Sequence, residues 1–272
     1  MTSTEMAVRL STFAAVLAAM ALWEWSAPRR AFTTRRGPRW RDNLGLVLIS
    51  TIVVRLAVPL GAAGLAVAAR EQGFGLLNVL ATPPWAAFAA GLVALDLVIY
   101  AQHFAFHHVP VLWRLHKVHH TDLDVDASTG VRFHPVEILL SMGIKLAAVA
   151  ALGPPPAAVI TFEALLNATS LWSHGNVALP ARLERRLRLL VVTPEMHRVH
   201  HSIKTHETNS NFGFNLPWWD HLFRTYRAEP EDGHEGMALG VAGYRDPRRL
   251  HLLRLLAVPF TRRPAGVTSE SA

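Results

Sequence analysis

Hydrophobic positions along this chain fall in long blocks rather than in alternation. A helix needs about 20 apolar residues to cross a bilayer, and several blocks approach that length. The first runs from about Met6 to Trp25. The second runs from about Leu44 to Ala69, with Arg55 and Pro59 inside it, and the third from about Trp85 to Tyr100. A fourth, Val136 to Trp172, is longer than one span and is cut by Gly153-Pro154-Pro155-Pro156, which no helix interior tolerates. It predicts a hairpin, with Val136–Leu152 leaving and Ala157–Trp172 returning. From Ala181 the pattern turns soluble in character. Arg182–Arg188 and Arg245–Arg254 alternate basic and apolar residues, as in helices on an anionic membrane surface or in ordinary solvated faces. The tail after Arg263 reads as disordered.

The expected fold is all-α: an integral-membrane helical bundle of about four to five spans, with a cytoplasmic helical cap. Residues 1–30 make the first transmembrane helix and 31–175 the rest of the bundle. Residues 176–262 make the cap, and 263–272 the disordered tail. Composition agrees. Apolar residues are 51% of the 272 and charged residues 17%, against roughly 25% in a soluble domain. That excludes a disordered chain. The net charge of +7 fits cytoplasmic loops better than nucleic acid, because the basic residues track the spans. Arg29, Arg30, Arg35, Arg36, Arg39 and Arg41 follow the first block. They mark its cytoplasmic side and favour an uncleaved helix over a signal peptide ending near Ala19-Met20-Ala21. Counting spans from there brings His103 and His174 to the cytoplasmic face as well. No cysteine is present, which excludes disulfides and Cys-ligated iron–sulfur clusters.

Fifteen histidines are the anomaly. Asp96, Tyr100, His103 and His107 are spaced four, three and four apart and share one helical face at the end of the third span. An intramembrane Asp is costly. Its reading here is to accept from an imidazole N–H and fix which nitrogen faces a metal; the plainer reading is a pair with Arg55. His116, His119 and His120 form one His-x-x-His-His box, and His197, His200 and His201 a second. Imidazole binds transition metals in its neutral form, and three on one turn can serve two adjacent metals. His174 lies where the hairpin returns to the same face and is a ninth candidate ligand. His134, before Pro135, is a candidate ligand, a supporting group or a helix-opening residue, with ligand the minority reading. His206 and His221 read as supporting groups. His108, His234 and His251 read as surface or interface histidines. One metal takes at most about six ligands, so nine imply two. Nitrogen-rich sites suit iron, copper, zinc or nickel over Mg²⁺ or Ca²⁺.

The chain resembles the fatty acid hydroxylase superfamily, also called the sterol desaturase family, of membrane di-iron enzymes. The motifs that carry the resemblance cover roughly Leu95 to Tyr226. They begin with Asp96-x3-Tyr100-x2-His103-x3-His107, Leu115-His116-x2-His119-His120 and Arg132-Phe133-His134-Pro135-x-Glu137. His174-x-Asn176, Thr193-Pro194-x-Met196-His197-Arg198-x-His200-His201, Asn211-Phe212-Gly213, Trp219-Asp220 and Phe223-x-Thr225-Tyr226 follow. The resemblance implies an O₂-dependent lipid hydroxylase or desaturase holding two iron ions, with zinc a candidate occupant of a purified sample. It implies as ligands His103, His107, His116, His119, His120, His174, His197, His200 and His201. Asp96, Tyr100, His134, Asn176 and Asp220 are candidates to steady them from behind. Ser170 stands where some members carry a further histidine. His221 and Arg224 depart from the family's usual closing motif. The implied partners are a membrane lipid, O₂ and a separate electron-transfer protein, since no flavin or nicotinamide fingerprint is present; no nucleic acid is expected.

Three rivals remain open on sequence. A zinc hydrolase could use the same histidines, with Glu195 the nearby general base. A metal transporter would place its site nearer the bilayer midplane. A scaffold without activity would not need the full set of boxes.

Overall fold

The computed structural model describes residues 3–261; the tail read as disordered lies outside the described residues. Helices dominate. They are α1 (Ser3–Ser26), α2 (Arg36–Ala57), α3 (Gly61–Gln72), α4 (Pro84–His108), α5 (Pro110–His120), α6 (Pro135–Leu152) and α7 (Pro156–Ser173). Shorter pieces follow: α8 (Ala181–Leu187), α9 (Pro194–His200), α10 (Trp218–Leu222) and α11 (Leu252–Ala257). Five of these helices open on proline, whose fixed φ and missing N–H cost nothing in the first turn.

Among the described residues, three stretches are long and apolar enough to cross a membrane: Arg36–Val79, Pro84–His108 and Pro135–Leu152. The first is α2 followed by α3, broken at Val58-Pro59-Leu60, because proline interrupts the helical hydrogen-bond ladder. Asn43 reaches Ser128, and Ser50 reaches the carbonyl of Phe133 just before α6, so α2 runs beside the histidine end from Asn43 to Ser50. Leu10–Ser26 is a shorter apolar helix, and α7 completes the expected hairpin. Gly153 caps α6 in the left-handed conformation, at φ 63°, which glycine adopts freely. A Cβ on Gly75 would lie 2.5 Å from Gly153, so the two loops at that end meet backbone to backbone.

The bundle core is formed by Ala62, Ala63 and Ala66 of α3, Leu95 and Ile99 of α4, Val149 of α6, and Val159 and Phe162 of α7. The alanines let helix backbones approach closely, as membrane packing requires. Lys145 and Glu163 form a buried ion pair of 2.6 Å across the hairpin.

At the histidine end the chain is tied by charge. Arg39 pairs with Asp122 and Asp126. Arg36 pairs with Glu24 of α1, whose carboxylate also accepts from the amides of Ala127 and Asn176. Buried Arg132 donates to Asn43, the Val118 carbonyl and Thr121. The arginines after α1 thus tie distant segments together. Arg39 and Arg36 clamp the acidic run that follows the His116–His120 box. Met20 of α1 packs against Gly175 and clusters with Ala127 and Val177.

Candidate metal centre

The nine candidate histidines are all buried and converge from four places in the chain. α4 delivers His103 and His107 from its last turns, α5 delivers His116, His119 and His120, and α9 delivers His197 and His200, with His201 at its C-cap. His174 caps α7. They resolve into two groups whose ring nitrogens lie within 4.8 Å of one another. One is His103, His107, His116, His120 and His200; the other is His119, His174, His197 and His201.

Each box is shared. In the first, His116 and His120 join the five-membered group while His119 turns to the four. In the second the division reverses: His197 and His201 join the four, and His200 the five. Residues three and four apart lie close on a helix surface but diverge in angle, which lets one turn face two neighbouring centres.

Oxygen acceptors orient the five-membered group. His103 Nδ1–H donates to the Phe212 carbonyl at 2.8 Å and His200 to the Ser210 carbonyl at 2.7 Å. His116 donates to Glu137 at 2.6 Å and His107 to Asn209 at 3.2 Å. Each bond leaves the Nε2 lone pair facing inward. The Nε2 atoms of His107 and His116 lie 3.1 and 3.2 Å from that of His120, and those of His103 and His200 have no hydrogen-bond partner among the described residues. In the four-membered group only His174 is anchored, at 2.7 Å to the Ser170 carbonyl. Its Nε2 lies 3.0 Å from those of His119 and His197. The Nδ1 atoms of His119, His197 and His201 have no partner among the described residues.

Buried nitrogen lone pairs pointed at one another are repulsive and unsatisfied unless a cation takes them. The arrangement therefore fits metal ions. Burial holds His116 and His174 at a pKa of about 3. Burial and then neighbouring imidazoles push His119, His120, His197, His200 and His201 well below the usual range. The rings are neutral at physiological pH, the form that binds metal.

The residues expected behind the ligands divide. Asp220 accepts from the amides of Phe212 and Gly213 and from Thr225. It fixes the loop whose Phe212 carbonyl orients His103. Asp96 corrects the expectation made for it. It accepts from Asn215, the Leu216 amide and Trp219 rather than from an imidazole or Arg55, because the 215–219 segment packs against α4 at that level. Tyr100 touches no candidate ligand by hydrogen bond; its hydroxyl meets Thr225 at 2.8 Å and its ring stacks on Phe223. His134 is the N-cap of α6: its Nδ1 accepts from the Val136 amide and its Nε2–H donates to the Leu256 carbonyl. That is the helix-opening role. Asn176 holds the backbone of Arg30 at both ends, so it secures the segment after α1 instead of a histidine. His206 pairs with Glu231 at an exposed site, and the His221 ring lies tilted against Tyr226 with ring centres 4.2 Å apart; among the described residues neither contacts the nine.

Glu137, quoted within a motif above and given no role there, is the carboxyl group that orients His116. Its signal was present, in the turn after His134-Pro135, where a buried carboxylate needs a partner. Asn209 and the three backbone carbonyls carried no such signal. Glu195, the base required by a zinc hydrolase, hydrogen-bonds Arg29 at 3.0 Å and Arg188 at 3.4 Å. Burial pushes its carboxyl up, but Arg29 and His234 together hold it below the usual range. A carboxylate so engaged is a poor proton acceptor.

Comparison with known proteins bears on the same residues. The chain is 30% identical over 173 residues to the ornithine lipid hydroxylase OlsE of Rhizobium tropici, covering 64% of this chain and 50% of that protein. It is 30% identical over 162 residues to the human alkylglycerol monooxygenase, covering 59% and 35%. It is 29% identical over 160 residues to the very-long-chain aldehyde decarbonylase GL1-5 of Oryza sativa subsp. indica, covering 53% and 25%. The chain thus spans half the length or less of these curated relatives. No solved structure matches it significantly. The sequence pattern described as fatty acid hydroxylase matches residues 88–225, which contain all nine histidines and Glu137. By that match, over half of its length, the chain belongs to the fatty acid hydroxylase family.

Proposed function

We propose that this protein is a membrane oxidoreductase that hydroxylates or desaturates a lipid, using O₂ and electrons from a separate protein. The observation that carries the reading is the convergence of nine buried, neutral imidazoles into groups of five and four. The two groups would each hold one iron ion, on the cytoplasmic side of the bundle. Iron bound there would supply O₂ activation for attack on a C–H bond, chemistry that no side chain of this protein provides.

The chain's own contribution is positional. Glu137, Asn209 and the carbonyls of Phe212, Ser210 and Ser170 hold five imidazoles in the tautomer that presents Nε2 inward. Phe212 and Phe214 pack on His103, and Phe133 stacks on His119 at 4.4 Å. These rings keep water from the nitrogens. A centre beside the bilayer would meet an alkyl chain where it resides, a reading that the apolar spans support. The relatives named for ornithine lipid and alkylglycerol favour a polar lipid with long chains as substrate class.

The test is incubation of the iron-loaded protein, in lipid nanodiscs with a reductant and a candidate redox partner, under ¹⁸O₂. Incorporation of ¹⁸O into a lipid, or O₂-dependent loss of two hydrogens, supports the reading. Hydrolysed lipid formed equally without O₂ overturns it in favour of a hydrolase.

A further inference from the structure

Beside the histidine centre the cap presents an apolar face that the bundle does not cover. Leu189, Leu190 and Leu222 are exposed by 65%, 65% and 66%, and Leu183, Trp218 and Phe223 are also exposed. The face is continuous. Trp218 Nε1–H donates to the Leu189 carbonyl at 2.8 Å, and Leu222 is four residues beyond Trp218 on α10. Phe223 stacks on Tyr100 of α4 with ring centres 5.4 Å apart. Scattered apolar side chains are ordinary on a surface, but a contiguous group of this size marks an interaction site.

Its depth can be read from α4. Trp219 Nε1 and the Leu216 amide donate to Asp96, and Asp96 is the thirteenth residue of the Pro84–His108 helix. About 20 residues from Pro84 carry the hydrocarbon layer to about Phe104, beyond both Asp96 and Tyr100. From Asp96 to the end of α4 is about 18 Å at the helical rise. The segment bearing Trp218, Leu222 and Phe223 is therefore level with the lipid, not above it. Its border is basic. Arg182, Arg185, Arg186 and Arg224 are exposed, and none of the four forms an ion pair among the described residues. Basic side chains flanking an apolar face fit anionic headgroups.

We infer that α8, α10 and the loop 188–191 form a monotopic membrane-insertion surface, with Leu189, Leu190, Trp218, Leu222 and Phe223 in the acyl boundary and the four arginines on anionic headgroups. The occupant is the bilayer itself. The inference rests on the depth of α4 and not on the reaction proposed above.

The chain contains no cysteine, so single cysteines can be introduced cleanly. Leu190→Cys and Leu222→Cys, with Leu189→Cys as a third position should either label poorly, are compared with Arg248→Cys on an exposed turn. Each carries a small fluorophore in nanodiscs. Nitroxide-bearing lipids are expected to quench positions 190 and 222 at least about twofold more than position 248, with aqueous iodide showing the reverse order. Quenching by nitroxide phosphatidylglycerol should exceed that by nitroxide phosphatidylcholine, and the excess should vanish in Arg182→Gln/Arg185→Gln/Arg186→Gln. Labels at 190 and 222 that behave like 248, open to iodide in lipid-only discs, would overturn the insertion and leave the face to an acidic redox protein. Equal quenching by the two lipids would overturn the role of the arginines.

Discussion

The two histidine groups are built from the same residue type and both draw on the same two boxes, yet they are held differently. In the group of five, four imidazoles are oriented by oxygen acceptors, one of them the buried carboxylate of Glu137. In the group of four, only His174 is oriented this way. The others are held by packing, as His119 is by Phe133. An acceptor behind a ligand fixes its tautomer and raises its basicity. The group of five is thus oriented by the chain itself, whereas a metal bound to the group of four would have to orient most of its own ligands. Reciprocal sharing of the boxes ties the two together, since α5 and α9 each serve both.

The largest effect should come from removing ligands group by group. His116→Ala/His120→Ala removes two ligands from the group of five, and His119→Ala/His197→Ala two from the group of four. Each variant should retain about one metal ion per chain, measured by elemental analysis, and lose lipid oxidation to background, because two-metal chemistry fails when either ion is missing. Retention of both ions in either variant would contradict the assignment of the groups.

Glu137→Gln comes next. It keeps the shape but weakens the acceptor behind His116. Loss of such a partner typically costs about 10–100-fold in metal affinity or activity. The loss should fall on the group of five, read as weakened binding of one ion out of two in a metal titration. An unchanged titration would remove Glu137 from the account.

Chelator challenge separates the groups without mutation. Metal should leave in two phases, the faster from the group of four. The faster phase should be missing in His119→Ala/His197→Ala.

The smallest effect is on stability in acid. In metal-free protein, burial holds His116 and His174 at about 3, against an ordinary value near 6.5. Unfolded imidazoles take up protons below about 6.5 that the buried rings refuse, so the stability present above that pH is lost as pH falls toward 3. Denaturation midpoints followed from pH 7.5 to 5 should decline for metal-free protein. They should decline less in His116→Ala, which removes one such group.

Much of this organisation was legible in the chain. Proline at helix starts and Gly153-Pro154-Pro155-Pro156 punctuate the spans, because their backbone constraints are local. The nine histidines were legible because box spacing is a local helical property. What escaped reading depends on contacts between distant segments. Glu137 meets His116 across 21 residues. Asp96 meets Asn215 and Trp219 across more than a hundred, which is why an imidazole was expected in their place. Lys145 and Glu163 each sit within an apolar run, and only the folded hairpin shows that they neutralise one another. The division of each box between two centres needs the angle between α5 and α9, which no spacing encodes.

The most direct test of the central claim is metal stoichiometry of the purified protein after anaerobic ferrous loading, wild type beside the two double variants. The account predicts about two iron ions per chain in the wild type and about one in each variant, the survivor differing between them in its absorption-edge spectrum. Two ions in wild type that both vanish in either variant would mean one cooperative cluster. A single ion in wild type would contradict two centres outright.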